Sequence, residues 1–190
     1  MAESVNAVTT GKPRVGGGIY WAPIGTQLPS DATTDLGDAF ESVGFISAEG
    51  YTNNNSPSTE QIREWGGSVV LTAQTEKNDT FTFTLLQHED AEVLKVVHGD
   101  NNVSGTSLDS GITVTATDDE PTAHVWVINE VLRGNVLSRT VIPSATVSEV
   151  GEVVHNGSSA ISYPVTLTAE KVNGFTHKTY LKKQTVTGNT

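Results

Sequence analysis

The sequence predicts an all-β domain, a sandwich or barrel flanked by one short α-helix, and three observations carry that prediction. Thr, Ser, Val and Gly are abundant while only 36% of residues are hydrophobic, a composition that suits solvated sheets better than helical bundles. Short segments with alternating apolar residues follow one another from Gly67 onward, separated by polar turns, as in sandwiches and barrels. Only Glu89 to His98 carries the punctuation of a convincing helix. At 190 residues the chain suits one domain, 1 to 190, because single cores grow comfortably to ~200 residues. The sequence carries no repeat of the ~20 to 50 residues that would mark a solenoid or propeller.

Residues 1 to 18 lack a periodic apolar pattern and end in Gly16-Gly17-Gly18, which predicts a flexible N-terminal arm with a hinge. Gly18 to Pro23 reads as a short aromatic strand stopped by proline, which has no N–H for a ladder. From 24 to 65 the chain is rich in Thr, Ser, Asn, Asp, Gly and Pro, predicting a long loop with one short strand around Gly44 to Ala48. Leu36, Phe40, Phe45 and Tyr51 are interleaved through it, so it reads as an assembly surface rather than a solvated linker.

The β core is expected over 67 to 187. Ser68 to Gln74 and Thr80 to Leu86 flank the polar stretch Glu76-Lys77-Asn78-Asp79 and predict a hairpin turning there. In the second of these strands Phe81, Phe83 and Leu85 share one face, and Thr80, Thr82 and Thr84 share the other. The helix has acids at its start (Glu89, Asp90, Glu92), Lys95 and His98 in its last turn and Gly99 at its stop, all suited to its dipole and ends. Strands are then predicted at Gly111 to Thr117, Ala123 to Val131, Gly134 to Pro143, Ala145 to Val154 and Ala160 to Lys171. Thr176 to Thr185 reads as a last edge strand, and Gly188 to Thr190 as a fraying end.

The chain has no Cys, which excludes disulfide scaffolds and thiolate chemistry. The N-terminus lacks the basic and apolar regions of a signal peptide, and no apolar run approaches the ~20 residues that span a membrane. A net charge of −11 has the wrong sign for holding phosphates by counterion release. The five histidines, His88, His98, His124, His155 and His177, are scattered without the spacing of metal ligands. His98 reads as a cation at a helix end and His155 as a turn residue.

Adjacent residues on a helix diverge, so His88-Glu89-Asp90 is no acid-base constellation. Asp118-Asp119-Glu120 lacks the alternating ligands of a calcium loop, and Gly16-Gly17-Gly18 matches no phosphate-binding motif. No catalytic residue, metal or cofactor is expected. Tyr20, Trp21, Tyr51, Trp65 and Trp126 make a sugar-binding platform the sharpest alternative.

Three segments carry a resemblance: 16 to 50 ("GGGIYWAPIGTQLPSDATTDLGDAFESVGFISAEG"), 85 to 103 ("LLQHEDAEVLKVVHGDNNV") and 138 to 171 ("SRTVIPSATVSEVGEVVHNGSSAISYPVTLTAEK"). In this order they resemble the major tail protein, the tail-tube subunit, of long-tailed, non-contractile bacteriophages. The resemblance implies a sandwich or barrel-like subunit with one flanking helix, forming hexameric rings that stack into a tube. It implies partners in further copies of the chain, the tape-measure protein, the tail terminator and the baseplate or tip proteins. DNA would pass through the lumen without specific binding, the subunits being assembled in the host cytoplasm and resident in the virion tail. Some relatives carry a C-terminal immunoglobulin-like domain, and none is expected in this chain.

Rings and stacks need heterologous contacts, which open sheet edges can supply. Tyr20, Trp21, Phe40, Phe45, Tyr51, Trp65, Asn156 and Pro164 are the expected inter-subunit contacts. In residues 151 to 171 Asn156-Gly157 suits a tight turn at positive φ, and Pro164 belongs at a strand start, bulge or edge. Two other readings stand beside this one: another virion component such as a capsid decoration protein, and a carbohydrate-binding module using Trp21, Trp65 and Tyr51.

Overall fold

Each strand sends successive side chains to opposite faces, and that alternation sets the architecture. The computed structural model describes residues 7–15 and 17–184. Its strands are β1 (Gly11–Pro13), β2 (Ile19–Pro23), β3 (Glu41–Ser42), β4 (Ile46–Arg63), β5 (Val69–Leu85), β6 (Val103–Ser104), β7 (Thr113–Val114), β8 (His124–Leu132), β9 (Val136–Val150), β10 (Tyr163–Ala169) and β11 (Lys178–Lys183), with the helix α1 (Ala91–His98) after β5. Strands β3, β2, β8, β9, β10, β5 and β4 lie side by side in that order. Beyond β2, β1 pairs with the remainder of β8, and β11 pairs with the part of β9 that β10 leaves free. The fold is all-β with one short helix, as the composition and alternation predict.

The main core lies on one face of the sheet. Trp126 and Ile128 from β8, Phe81, Phe83 and Leu85 from β5, and Val165 and Leu167 from β10 meet Val93, Leu94 and Val96 of α1 there. The helix starts where Asp90 caps it by accepting a hydrogen bond from Glu92 N (2.8 Å). It stops at Gly99, whose φ of 93° suits glycine. A second cluster sits on the opposite face of β2, β8 and β9, where Ala22, Val125, Val127 and Val141 pack with Phe40 and the partly buried Leu28 and Leu36. Because both faces of β8 are covered, its first half reads as a continuous apolar run rather than an alternation.

Several expectations are corrected. Residues 69 to 85 form one strand, not a hairpin turning at Glu76-Lys77-Asn78-Asp79, and its partner is β4, so the polar stretch 46 to 63 is strand rather than loop. A two-stranded ribbon with both faces in water needs no apolar alternation, so its pattern cannot announce it. The true turn is 64 to 68, closed by the Gly67 N–H donating to Glu64 O, with Gly67 at φ 89°. The remainder of the expected loop, from Leu28 to Phe40, folds over the second face of the sheet.

Of the N-terminal arm, residues 11 to 13 are strand β1 on β8; residues 1 to 6 and Gly16 lie outside the described residues, as do Thr185 and the expected fraying end. The segment 134 to 154, expected as two strands, holds the single strand β9. A register shift opposite His124 and Trp126 accommodates Pro143 in mid-strand, as bulges do. Strand β7 keeps only two residues of the expected 111 to 117.

Residues 151 to 162 form a long connection rather than a tight turn. Gly157 does not take positive φ, and Asn156 instead accepts hydrogen bonds from Ser158 N (2.9 Å) and Ser159 N (2.8 Å). Pro164 is the second residue of β10, as expected of a proline at a strand start, and because β10 lies between β9 and β5 it is not at an edge. Its ladder with β9 begins one residue later at Val165, and its carbonyl accepts from Gly151 N (2.7 Å), so the missing N–H costs no bond.

Candidate assembly interface

The ladder between β10 and β5 ends at Thr168 and Thr80. Beyond that row β4 and β5 have only each other, from Asn55 opposite Asp79 to Arg63 opposite Val69. The nine residues 55 to 63 of β4, at ~3.3 Å each, run beside eleven of β5 (69 to 79) and make a ribbon projecting roughly 30 Å. Its tip is apolar and in water: Trp65 is fully exposed, Val70 61% and Leu71 54% exposed, with Ile62 and Val69 beside them. Isolated two-stranded ribbons are marginal, and an exposed apolar patch marks a site of interaction.

The root of the ribbon is anchored. Asp79 is 1% exposed; its Oδ1 accepts from Asn53 Nδ2 (2.8 Å), and its Oδ2 accepts from Thr176 Oγ1 (2.5 Å) and His177 Nδ1 (2.6 Å). Burial alone would raise its pKa, yet the three donors hold it below the usual carboxylate value. Nearby, Tyr51 stacks on Phe81 with ring centroids 6.4 Å apart and donates its hydroxyl to Glu130 Oε2 (3.1 Å).

Burial, then the Glu130 charge, push the Tyr51 phenol up to about 12. A raised pKa means the folded state holds the proton more tightly. The stabilisation is therefore present below the ordinary value near ~10 and is lost as pH rises through about 12. Spectrophotometric titration of the folded protein should show one tyrosine ionising near 12, and Tyr51→Phe should remove that step.

A second surface is the open face of β4, β5, β10 and the end of β9. Thr52, Thr80, Thr82, Thr84, Thr166 and Thr168 point there, opposite the main core. The hydroxyls of Thr82 and Thr166 are 3.2 Å apart, and Thr168 Oγ1 donates to Ser148 Oγ (2.8 Å). Glu149 and Glu170 are its neighbouring charges, and no Lys or Arg lies among these strand positions.

The residues expected to meet neighbours do not form one patch. Trp65 is at the ribbon tip, and Phe45 is 74% exposed just before β4. Trp21 and Phe40 are inside the subunit, 5% and 8% exposed, Trp21 tilted against His124 at 4.3 Å and Trp126 at 5.8 Å. Tyr20 is half-buried against the second cluster, Tyr51 is half-buried, Pro164 is interior to the sheet and Asn156 is on the exposed connection.

Trp65 and Tyr51 are separated by roughly 40 Å of strand and Trp21 is buried, so these three rings share no sugar-binding surface. Val69, Val70 and Leu71 are tip residues that sequence reasoning assigned to a core strand, because an apolar triplet carries no mark of which surface it meets.

The histidines also take particular places. His88 Nδ1 lies 2.5 Å from the Tyr163 hydroxyl, with the His155 ring at 5.6 Å from His88 and the His98 ring at 6.2 Å from Tyr163. His98 lies in the last turn of the helix as expected, where burial, then His88, lower its pKa and so work against a charge there. Among the described residues no group of three or more His, Cys, Asp or Glu is placed to hold a metal ion.

A projecting ribbon with an apolar tip and open sheet edges describe a building block. The family model of the phage tail tube protein matches residues 1–189. The chain belongs to the phage tail tube protein family. No curated protein matches it. As a tail tube protein it is a structural component of the virion tail that assembles with itself and with other tail components. Its long ribbon and open edges are thereby the surfaces of first interest.

Proposed function

We propose that this tail tube protein is the tube subunit of a long-tailed, non-contractile bacteriophage, a non-enzymatic protein that closes into hexameric rings and stacks them into the conduit for DNA ejection. The observation that carries the reading is the ribbon of β4 and β5, whose apolar tip extends beyond the subunit's own core. A heterologous contact made by such a tip reaches a different patch on the next copy, which is what rings and stacks require.

The open hydroxyl face supports the conduit role. Its threonines offer no cation to a phosphate backbone, and the net charge of −11 repels it, so DNA would move along the face without binding. In this reading the tape-measure protein occupies the lumen before ejection. The terminator and the baseplate or tip proteins close the two ends, and assembly takes place in the host cytoplasm.

Electron microscopy of the purified protein over a range of concentrations tests the reading. Rings or tubes with six-fold symmetry are expected; a particle that stays monomeric, or a compact trimer, would favour a capsid decoration role instead. A reconstruction with Lys and Arg lining the lumen, and Thr82 and Thr166 turned outward, would overturn the conduit assignment while leaving the tube intact.

A further inference from the structure

Asp79 is a charged side chain in mid-strand, read in the sequence as part of a polar turn and found almost fully buried. Burying a carboxylate is costly unless donors replace its water. Here the donors come from separate segments: Asn53 from β4, and Thr176 and His177 from the connection that leads into β11. The His177 ring also stands edge-on to Phe81 at 5.4 Å.

The position matters as much as the bonds. Thr80 is the last residue of β5 that β10 supports, and Asp79 is the next one toward the tip. Where sheet pairing stops holding the ribbon, this carboxylate begins, tying both strands of the ribbon to the C-terminal part of the chain. Past this row, hydrogen bonds to the subunit body are replaced by those within the ribbon, such as Ser56 to Asn54 and Arg63 to Gln61.

We propose that Asp79 is a positioning residue for self-assembly: by gripping Asn53, Thr176 and His177 at the row where the ribbon leaves the sheet, it fixes the direction in which the apolar tip meets a second copy. The assembly half of this statement rests on the tail tube reading above. The gripping half does not. A ribbon roughly 30 Å long that pivots at its root sweeps its tip through many positions, and each misdirected position is lost to binding, because only the competent fraction contributes to affinity.

Hydrogen–deuterium exchange on dilute, unassembled protein and an assembly titration followed by light scattering test it together. Asp79→Asn removes the charge and presents an amide to two donors. Exchange should accelerate at least about tenfold in residues 55 to 77 and 172 to 177 while β8 and β9 stay protected, and the concentration needed for assembly should rise by a similar factor. Thr176→Val and His177→Ala, each removing one donor, should give smaller shifts in the same direction, and they keep the test open if Asp79→Asn fails to fold. Unchanged exchange in the ribbon, or acceleration spread equally over β8 and β9, would overturn the gripping role. Faster ribbon exchange with unaltered assembly would overturn the assembly role alone, and wild-type protein that never assembles would sink the tail tube reading without touching the exchange result.

Discussion

Replacing Trp65 and Val70 together by Asp should leave a folded monomer that no longer forms rings or tubes. Trp65 is fully exposed and Val70 is 61% exposed, and exposed substitutions away from caps and networks change stability by only about ±0.5 kcal/mol. Thermal unfolding of the double variant should therefore overlay that of the wild type.

Assembly is a different matter. Central aromatic anchors at interfaces cost about 2 kcal/mol or more when truncated, and a buried unpaired carboxylate adds to the penalty. Each contact should weaken by at least about 30-fold, and a tube made of many such contacts should vanish from electron micrographs at concentrations where the wild type polymerises. Tubes of normal length from the double variant would show that the tip is bare in the assembly, and would remove the ribbon from the interface.

Arg139→Met should be the most damaging single change to the fold. The guanidinium is 1% exposed; its Nε donates to Asn129 Oδ1 (2.8 Å), and one terminal nitrogen donates to the carbonyls of Asp31 (3.1 Å) and Thr34 (2.7 Å). Those carbonyls belong to the segment that covers the second face of β8 and β9. Asp31 is itself fixed, its Oδ2 accepting from the Thr34 hydroxyl and its Oδ1 from Thr34 N and Thr33 N, and these hydrogen bonds, led by that of the Thr34 hydroxyl, hold its pKa far below the usual carboxylate range.

Removing Arg139 strips donors from buried acceptors and loosens the cover over Val125, Val127 and Val141. The expected loss is about 3–5 kcal/mol, which lowers Tm by roughly 10 °C in a domain of this size. Calorimetry would read it directly, and an unchanged Tm would mean that the 24 to 40 segment is held by its apolar contacts alone.

How much of this was legible beforehand follows from what each residue reports. Phe81, Phe83 and Leu85 announced a strand with one buried face because they alternate with threonines, and the structure buries all three. Asp90, Lys95 and Gly99 announced the helix through its ends. Asn54, Ser56 and Ser58 announced nothing, because a strand wetted on both faces has the composition of a loop. Arg139 carried no signal either; its partners lie at Asn129, Asp31 and Thr34, and no local pattern joins them. The tip residues Val69 to Leu71 were legible as strand but not as surface.

Composition and short-range order were enough to establish an all-β subunit with one capped helix, an acidic surface, no thiol chemistry and a likeness to tail tube subunits. Those properties depend on residue type and on spacing of a few positions, which the chain carries locally. Which strands pair, which face of β5 is left to water, that Trp21 is buried while Trp65 is bare, and that Asp79 sits beneath Thr176 and His177 emerged only with the folded sheet. Ladder partners are chosen by main-chain groups that every residue shares, and burial is conferred by segments as far off in sequence as Asp31 is from Arg139, 108 positions.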